Sequence, residues 1–335
     1  MKNNKFRIKN IDLSLLRKIL KNEKDTIAHR LDENHIKYLE FYNNTNFKNL
    51  SFVFETKDNK IICPLTMHTN QQDVNFLSFY NLPIQFFSNK NIEKETLFLL
   101  VDYFDKLKKK LNVEKVPFKM KTSEEEMKLL DKKKLLNITD EIYVDLSQDL
   151  KKIEENFSQS LRRKLRFDNK SLKFTIIDKN DYQNNEILKM RDLHIFVSQR
   201  ETRTLQSWQQ NEKMILEGNG FLVKLEYKGR IISYMFFSFN STVALYFSAA
   251  TIRDYFKTLN NITHKGMYLA IKYLKNKSKF LYIGPQTLYG VPSHRLDSKN
   301  LLSEKEKNIE RFKKSFLPKR KNLYKTYIDI SYSMS

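Results

Sequence analysis

Arginine side chains offer the clearest chemistry in this sequence. The segment SQSLRRKLR (158–166) places Arg162 and Arg166 four residues apart, hence on one face of a helix, with Arg163 one step round. Forked guanidinium groups hold phosphate or carboxylate oxygens through paired hydrogen bonds. The cluster is therefore either an anchor for a nucleotide, a lipid phosphate or a tRNA backbone, or the solvated face of a helix whose other side is core.

A second basic cluster precedes the only tryptophan of the chain. Arg191, Arg200 and Arg203 lie along a helix end and the loop after it, and Trp208 follows. The indole either stacks on a base or sugar of a ligand or anchors the interior. We take Arg200 and Arg203, with the three arginines of 158–166, as candidate substrate-binding residues.

A single lysine is the third candidate. Phe312 and Phe316 belong to the apolar stripe of a helix expected at 304–315, and Lys313 lies at the edge of that stripe. An ammonium group in such a position is partly desolvated against apolar surface while it reaches toward a cleft.

Several common catalytic classes are excluded by motifs that the sequence lacks. There is no HExxH, Walker A, GxSxG or GxGxxG motif, and the six histidines are scattered singly. Cys63 is the only cysteine, so no intrachain disulfide, cysteine-rich zinc cluster or CxxC redox pair can form. We therefore expect no metal site and no bound cofactor.

The composition indicates a folded protein whose second half binds an anionic ligand. The 335 residues are 40% hydrophobic, with 25 Phe and 17 Tyr. Residues 1–150 hold 26 basic and 22 acidic residues, whereas residues 151–335 hold 35 and 17. Eleven of the 14 arginines lie in the second half. A/T-rich codon usage can account for many lysines, but it does not account for this excess of arginine. No apolar run approaches the roughly 18 residues that span a bilayer, and the N-terminus has no signal-peptide core, so we expect a cytoplasmic protein.

Hydrophobic periodicity predicts the same order of elements in both halves. Each half reads as helices, three successive strands, a helix, a strand, a helix and a final strand. In the second half this means a long helix at 148–169, a strand at 172–178, helices at 183–199 and 206–217, and strands at 221–227, 230–239 and 243–250. A helix at 262–276, a strand at 280–284, an irregular stretch to 302, a helix at 304–315 and a strand at 322–330 follow.

This order predicts an α/β fold with two domains in tandem, each a mixed, mostly antiparallel central sheet flanked by helices. The predicted domains are residues 1–147 and 148–335, and no long linker separates them. The second domain carries the basic clusters and Lys313.

Several segments of the second half resemble the FemAB-type transferases. These are SLRRKLRF (160–167), LYFSAA (245–250), YLAIKYL (268–274), YIGP (282–285) and IERFKKSF (309–316). The first half matches that family only in element order. The resemblance implies two GNAT-like domains, the first of them degenerate, and the transfer of an amino acid from aminoacyl-tRNA to a cell-envelope precursor such as a peptidoglycan amino sugar or peptide.

The resemblance also implies roles for individual residues. Phe312 and Lys313 are similar to the Phe-Lys pair of the family's last helix, where the lysine stabilises charge on the reacting carbonyl and leaving group. Tyr246 is similar to a tyrosine that lines the acceptor site. The implied partners are an anionic donor and a nucleotide-linked or lipid-linked acceptor, with peripheral association at the inner face of the membrane as a further option.

Two alternatives remain open from the sequence. In the first, acyl-CoA is the donor and the protein is an N-acyltransferase of a sugar or metabolite. The segment 249–266 argues against this, because it contains no glycine before Gly266 and so has no glycine-rich turn to bind the pyrophosphate of CoA. In the second, the basic half binds RNA without catalysis.

Overall fold

The computed structural model describes residues 6–20, 31–69, 75–80, 84–88, 90, 92, 94–113, 117–121, 135–166, 170–183, 185–255, 259, 262–290, 304–316 and 325–331. The helices in the first half of the chain are α1 (Leu13–Leu20), α2 (Glu33–Asn43) and α3 (Lys94–Lys110). Those in the second half are α4 (Leu150–Glu155), α5 (Gln159–Arg166), α6 (Glu186–Ser198), α7 (Leu205–Leu216), α8 (Ile262–Leu274) and α9 (Glu304–Ser315).

Short strands of the first half form two small sheets. One has the order β1-β3-β4-β8, and the other has the order β2-β5-β6. Their strands are β1 (Arg7–Asn10), β2 (Lys48–Asn49), β3 (Phe52–Glu55), β4 (Lys60–Cys63), β5 (Thr66–Thr69), β6 (Asn75–Ser78) and β8 (Phe87–Ser88).

A large mixed sheet has the order β11-β12-β13-β14-β15-β10-β16-β9-β7. Its strands are β7 (Ile84–Gln85), β9 (Pro117–Lys121), β10 (Leu135–Asp145), β11 (Leu172–Ile177), β12 (Gly220–Tyr227), β13 (Arg230–Phe239), β14 (Val243–Thr251), β15 (Phe280–Gly290) and β16 (Lys325–Ser331). Because β10 pairs with both β15 and β16, the sheet continues across residue 147. The boundary between residues 147 and 148 stays a prediction.

Three antiparallel strands form the meander of the second half. β12 and β13 join at Lys228 and Gly229, which both have positive φ, at 49° and 77°. A turn with two positive φ angles matches the right-handed twist of a hairpin, so the turn expected at these residues is confirmed. β13 then pairs antiparallel with β14.

The large sheet buries apolar side chains on both faces. The first face, here called the α8 face, carries a core that includes Phe157, Leu161, Met235, Leu281 and Phe316. The opposite face, here called the α7 face, carries a core that includes Trp208, Tyr234, Phe236 and Tyr38 of α2. α2 thus packs against the second half of the chain, where the Asn34 side chain accepts a hydrogen bond of 2.9 Å from Gln210 of α7.

The prediction of one helix over 148–169 is wrong, because α4 ends at Glu155 and α5 begins at Gln159. The Ser158 hydroxyl accepts a hydrogen bond of 3.1 Å from the Leu161 amide and so caps α5. Phe157 within the break and Leu161 after it are both buried. The apolar periodicity therefore continues across a helix break that it does not signal.

One predicted strand end differs from the observed one because the strand pairs with a distant part of the chain. The strand predicted at 280–284 extends to Gly290, since β10 pairs with it along its whole length. The remaining second-half elements lie within a few residues of their predicted bounds. Most of the stretch between β15 and α9 that was expected to be irregular, residues 291–303, lies outside the described residues.

Candidate active site

Two neighbouring strands separate in the large sheet, and the separation creates an opening. β14 and β15 pair in parallel only from Val243 with Phe280 to Leu245 with Tyr282. Beyond this point β15 continues to pair with β10, while β14 continues to pair with β13. We call the gap between Tyr246 on β14 and Gly284 on β15 the strand opening.

Gly284 brings α9 close to the strand opening. Its φ is +118°, a conformation that L side chains rarely adopt. A Cβ atom at this position would lie 2.8 Å from Lys313 Nζ and 3.2 Å from Lys313 Cε. Glycine is therefore required for two reasons at once, and its missing side chain leaves the space that the lysine occupies.

Lys313 is held in a poorly hydrated position. Burial lowers the pKa of its ammonium from 10.5 to about 8, and the Glu310 carboxylate counters part of that effect. The Lys313 ammonium therefore remains mostly protonated at pH 7, but it loses its proton at a lower pH than an ordinary lysine does. A charge in a place with little water interacts strongly with any charge that develops beside it.

Aromatic rings pack around Phe312, the residue before Lys313, on the α8 face. The Phe312 ring lies 6.4 Å from the Tyr246 ring and 4.9 Å from the His264 ring, measured between centroids. Burial raises the pKa of Tyr246, so its hydroxyl stays protonated. Burial and the charge of Lys164 lower the pKa of His264 to about 4, so its imidazole is neutral at pH 7. The structure thus places Phe312 beside Tyr246, and it places the neighbouring Lys313 against Gly284.

The first arginine cluster lies beside this group on α5. Arg162, Arg163 and Arg166 are exposed, whereas Leu161 of the same helix is buried. The Ser158 amide at the start of α5 donates a 2.8 Å hydrogen bond to the carbonyl of Ser315, the last residue of α9. This bond fixes the arginine helix to the helix that carries Lys313.

The second arginine cluster lies elsewhere, on the α7 face of the sheet. The Arg203 guanidinium lies 5.2 Å from the centre of the Trp208 ring, while Arg200 is exposed. Trp208 is only 1% exposed, as an interior anchor would be. Arg191 binds Glu201 at 2.6 Å. The structure therefore divides the candidate substrate-binding residues between two faces of the sheet.

The sequence analysis did not predict the burial of three residues near the two arginine clusters and Lys313. Gly284 lies in the YIGP segment, and its position before a proline in a strand was a usable signal for an irregular backbone. His264 looked like an isolated histidine, and Asn211 looked like an ordinary polar helix residue. Their burial depends on contacts with distant segments, which periodicity does not reveal.

The described residues hold neither a cluster of metal ligands nor a membrane-spanning helix. Within these ranges, no group of three or more His, Cys, Asp or Glu side chains could hold a metal ion. None of the helices in the described part of the chain is long and apolar enough to cross a membrane.

The chain has been compared with known proteins at the level of sequence and of structure. No family model matches its sequence, and no curated protein matches it. Solved structures match over nearly the whole chain. FemX shares 10% identity with a TM-score of 0.60, and the match covers 96% of each chain.

Two further structures show the same architecture. The C-terminal domain of a putative lysylphosphatidylglycerol synthetase from Agrobacterium fabrum has 13% identity and a TM-score of 0.52, covering 95% of this chain and 91% of that one. L-PGS from Bacillus licheniformis has 12% identity and a TM-score of 0.50, covering 98% and 94%. The predicted α/β fold class is confirmed: the chain has the FemAB-like fold seen in FemX. The division into two GNAT-like domains stays a prediction.

Proposed function

We propose that this protein is an acyltransferase that moves an aminoacyl or acyl group onto an amine of a cell-envelope precursor. One observation carries the proposal, namely the desolvated Lys313 ammonium held against Gly284 at the strand opening. Its fold neighbours support the class of reaction, since one of them is named a putative lysylphosphatidylglycerol synthetase, an enzyme of aminoacyl transfer to a phospholipid.

The chemistry needs a charge stabiliser more than it needs a nucleophile from the protein. The acceptor amine attacks the carbonyl carbon of the donor ester, an N–C bond forms, and the C–O bond to the leaving hydroxyl breaks. The proton lost by the amine goes to the leaving oxygen. Negative charge builds on the carbonyl and leaving oxygens, and the Lys313 ammonium stabilises it in a site of low hydration. Positioning of the two substrates supplies much of the remaining rate.

The exposed arginines of α5 suit the anionic part of the donor. Arg162, Arg163 and Arg166 are free of apolar cover and lie on the helix that is hydrogen bonded to the end of α9. Multivalent arginine contacts favour a polyanion such as the backbone of aminoacyl-tRNA. On this proposal the protein needs no bound cofactor, because the donor arrives already activated as an ester.

One observation disfavours acyl-CoA as the donor. Gly266, the first glycine after β14, lies inside α8, where a Cβ atom would lie 2.9 Å from Met235 Cε. Its role is close packing of α8 on the sheet. It is not part of a loop that could cradle a pyrophosphate through backbone amides.

The test is a reconstituted transfer reaction with a matched pair of variants. The wild-type protein is incubated with bulk tRNA charged with radiolabelled amino acids and with a nucleotide-linked peptidyl amino sugar or phospholipid vesicles as acceptor. Transfer of label by the wild type, its loss in Lys313→Ala and its retention in the exposed neighbour Lys314→Ala are expected. Equal turnover in Lys313→Ala and the wild type would contradict the assignment.

A thermal-shift measurement separates the two donor classes. A ligand present at about 100 times its Kd stabilises a protein by about 2.7 kcal/mol. We expect charged tRNA to raise the melting temperature and coenzyme A to leave it unchanged. A shift with coenzyme A alone would favour the N-acyltransferase.

A further inference from the structure

We infer that Tyr268 of α8 is a positioning residue for donor binding, because its contact with Glu154 of α4 fixes the place of the arginine helix α5. The inference rests on the proposed function, from which it takes the polyanionic donor. It deepens that function by naming the contact that controls how tightly the donor binds. Tyr268 does not touch the donor; it acts through Arg162, Arg163 and Arg166.

The arginine helix has few contacts of its own with the core. The structure describes all eight residues of α5, and Leu161 is the one buried side chain among them. Lys164 and Leu165 are half-buried, and the other five side chains, including the three arginines, are exposed. A short helix is marginally stable without tertiary packing. The place of α5 therefore depends on how the segment before it is held.

The break between α4 and α5 is held by two other helices. The Phe157 ring centroid lies 6.2 Å from that of Tyr268 on α8 and 5.5 Å from that of Phe316, the residue after α9. The amide of the next residue, Ser158, donates its 2.8 Å hydrogen bond to the carbonyl of Ser315. The start of α5 is thus attached both to α8 and to the end of α9.

A charged hydrogen bond joins α8 to the last turn of α4. The Tyr268 hydroxyl donates to Glu154 Oε1, and Lys272 Nζ lies 4.5 Å from the centre of the Tyr268 ring. Burial and the Glu154 carboxylate raise the pKa of Tyr268, so the phenol keeps the proton that it donates. A hydrogen bond to a carboxylate is about twice as strong as one between neutral groups. It therefore fixes the end of α4 immediately before the break.

The same face of α8 also reaches α5 itself. His264 lies one turn before Tyr268, so the two side chains share a face of the helix. Burial and the charge of Lys164 lower the pKa of His264, which places Lys164 of α5 near this imidazole. One face of α8 thus contacts both α4 and α5, and the bond to Glu154 fixes how this pair of helices lies along it.

The function of the arginines depends on this placement. A guanidinium group binds a phosphate through paired hydrogen bonds only when its planar fork meets the anion in the right orientation. If the end of α4 is released, α5 can take several positions, and ordering it on binding then costs free energy. The loss should appear in the affinity for a polyanion and in its salt dependence, because each phosphate contact releases counterions.

A second tyrosine on the same helix provides a matched control. The Tyr273 hydroxyl donates a 2.7 Å hydrogen bond to Asp178, and Lys277 Nζ lies 4.3 Å from the centre of the Tyr273 ring. The chemistry matches that around Tyr268, but Asp178 follows β11 and belongs to neither α4 nor α5. Replacement of either tyrosine by phenylalanine removes one hydrogen bond to a carboxylate. Both replacements should therefore lower the melting temperature to a similar extent.

The test measures the affinity for bulk aminoacylated tRNA at several salt concentrations, together with the melting temperature of the free protein. The variants are Tyr268→Phe and Tyr273→Phe, each alone and in an Arg162→Ala/Arg166→Ala background. Glu154→Gln, which keeps an oxygen that can accept the hydrogen bond, is compared with Glu154→Leu, which does not. Both remove the same charge, so the difference between them reports the hydrogen bond alone.

Tyr268→Phe should weaken tRNA binding by about 3- to 10-fold and reduce the slope of log affinity against log salt by about 1, as expected for one lost phosphate contact. In the transfer reaction, the KM for the donor should rise while kcat stays constant. Glu154→Leu should bind more weakly than Glu154→Gln. Tyr273→Phe should leave the affinity unchanged. In the Arg162→Ala/Arg166→Ala background, Tyr268→Phe should change the affinity by less than about 2-fold, because the groups through which it acts are gone.

Several results would overturn the inference. Wild-type affinity or wild-type salt dependence in Tyr268→Phe would do so, as would the absence of tRNA binding by the wild type. An equal loss of affinity in Tyr273→Phe would show general destabilisation, and an undiminished effect of Tyr268→Phe in the Arg162→Ala/Arg166→Ala background would show another route. Failure of the proposed function has a separate signature, since Lys313→Ala would then retain turnover whatever the affinities show.

Discussion

Replacement of Lys313 by methionine should stabilise the fold while it abolishes transfer. A pKa lowered from 10.5 to about 8 means that the charged form is less favourable in the fold than in the unfolded chain. At 1.36 kcal/mol per pH unit, the difference corresponds to an upper limit of about 3 kcal/mol. Methionine has a similar length and no charge, so Lys313→Met removes this cost with little change in packing.

The pH dependence of this effect follows from its sign. Below pH 8 the lysine is charged in both the folded and the unfolded chain, so the cost is fully present. As pH rises from 8 to 10.5, the folded protein loses the proton first, and the cost declines until it disappears above pH 10.5. The stability advantage of Lys313→Met should therefore be greatest at pH 7 and small at pH 10.5.

Urea unfolding at pH 7, 9 and 10.5 measures the difference directly. The control is Lys314→Met, because Lys314 is the exposed neighbour on the same helix turn and should change stability by less than about 0.5 kcal/mol. A Lys313→Met protein that is less stable than the wild type at pH 7, or whose advantage does not change with pH, would refute the desolvation argument.

Three further variants address the surroundings of the lysine and the helix beside it. Gly284→Ala puts a Cβ atom 2.8 Å from Lys313 Nζ at a positive φ, so we expect a loss of about 1–3 kcal/mol in urea unfolding together with reduced turnover; wild-type stability would contradict this geometry. Glu310→Gln removes the charge that raises the pKa of Lys313, so the alkaline limb of turnover should move to lower pH, and an unmoved limb would show that another group titrates there. Ser158→Ala removes the α5 cap and should lower the free energy of unfolding by about 1 kcal/mol, and an unchanged value would contradict a capping role for this hydroxyl.

Local sequence signals predict most of the elements that form the second half. The meander strands and α9 follow from alternating and helical apolar patterns, and the Lys228–Gly229 turn follows from turn chemistry. The break at Asn156–Ser158 was missed, although a serine three residues before Leu161 is a capping signal. The apolar stripe of that region continues across the break, so periodicity alone favours one helix.

The candidate site is less predictable because its properties come from long-range contacts. Lys313 owes its lowered pKa to burial against Gly284, a residue on another element. Asn211 owes its burial to the packing of α7 on the sheet and to contacts with α2 from the first half of the chain. Side-chain type and spacing identify the arginines and the lysine as candidates, but they do not show that the sheet separates them onto two faces.

The position of β16 in the large sheet has a consequence for biosynthesis. β16 lies between β10 and β9, yet it is the last of the three to leave the ribosome. Until it is made, β10 and β9 each expose an unpaired edge that can recruit another chain. The large sheet therefore cannot be completed in the order in which its strands are synthesised. Because its strand pairs join distant parts of the chain, folding should be slow. Chaperone binding to the nascent chain would be most valuable in the interval before β16 emerges.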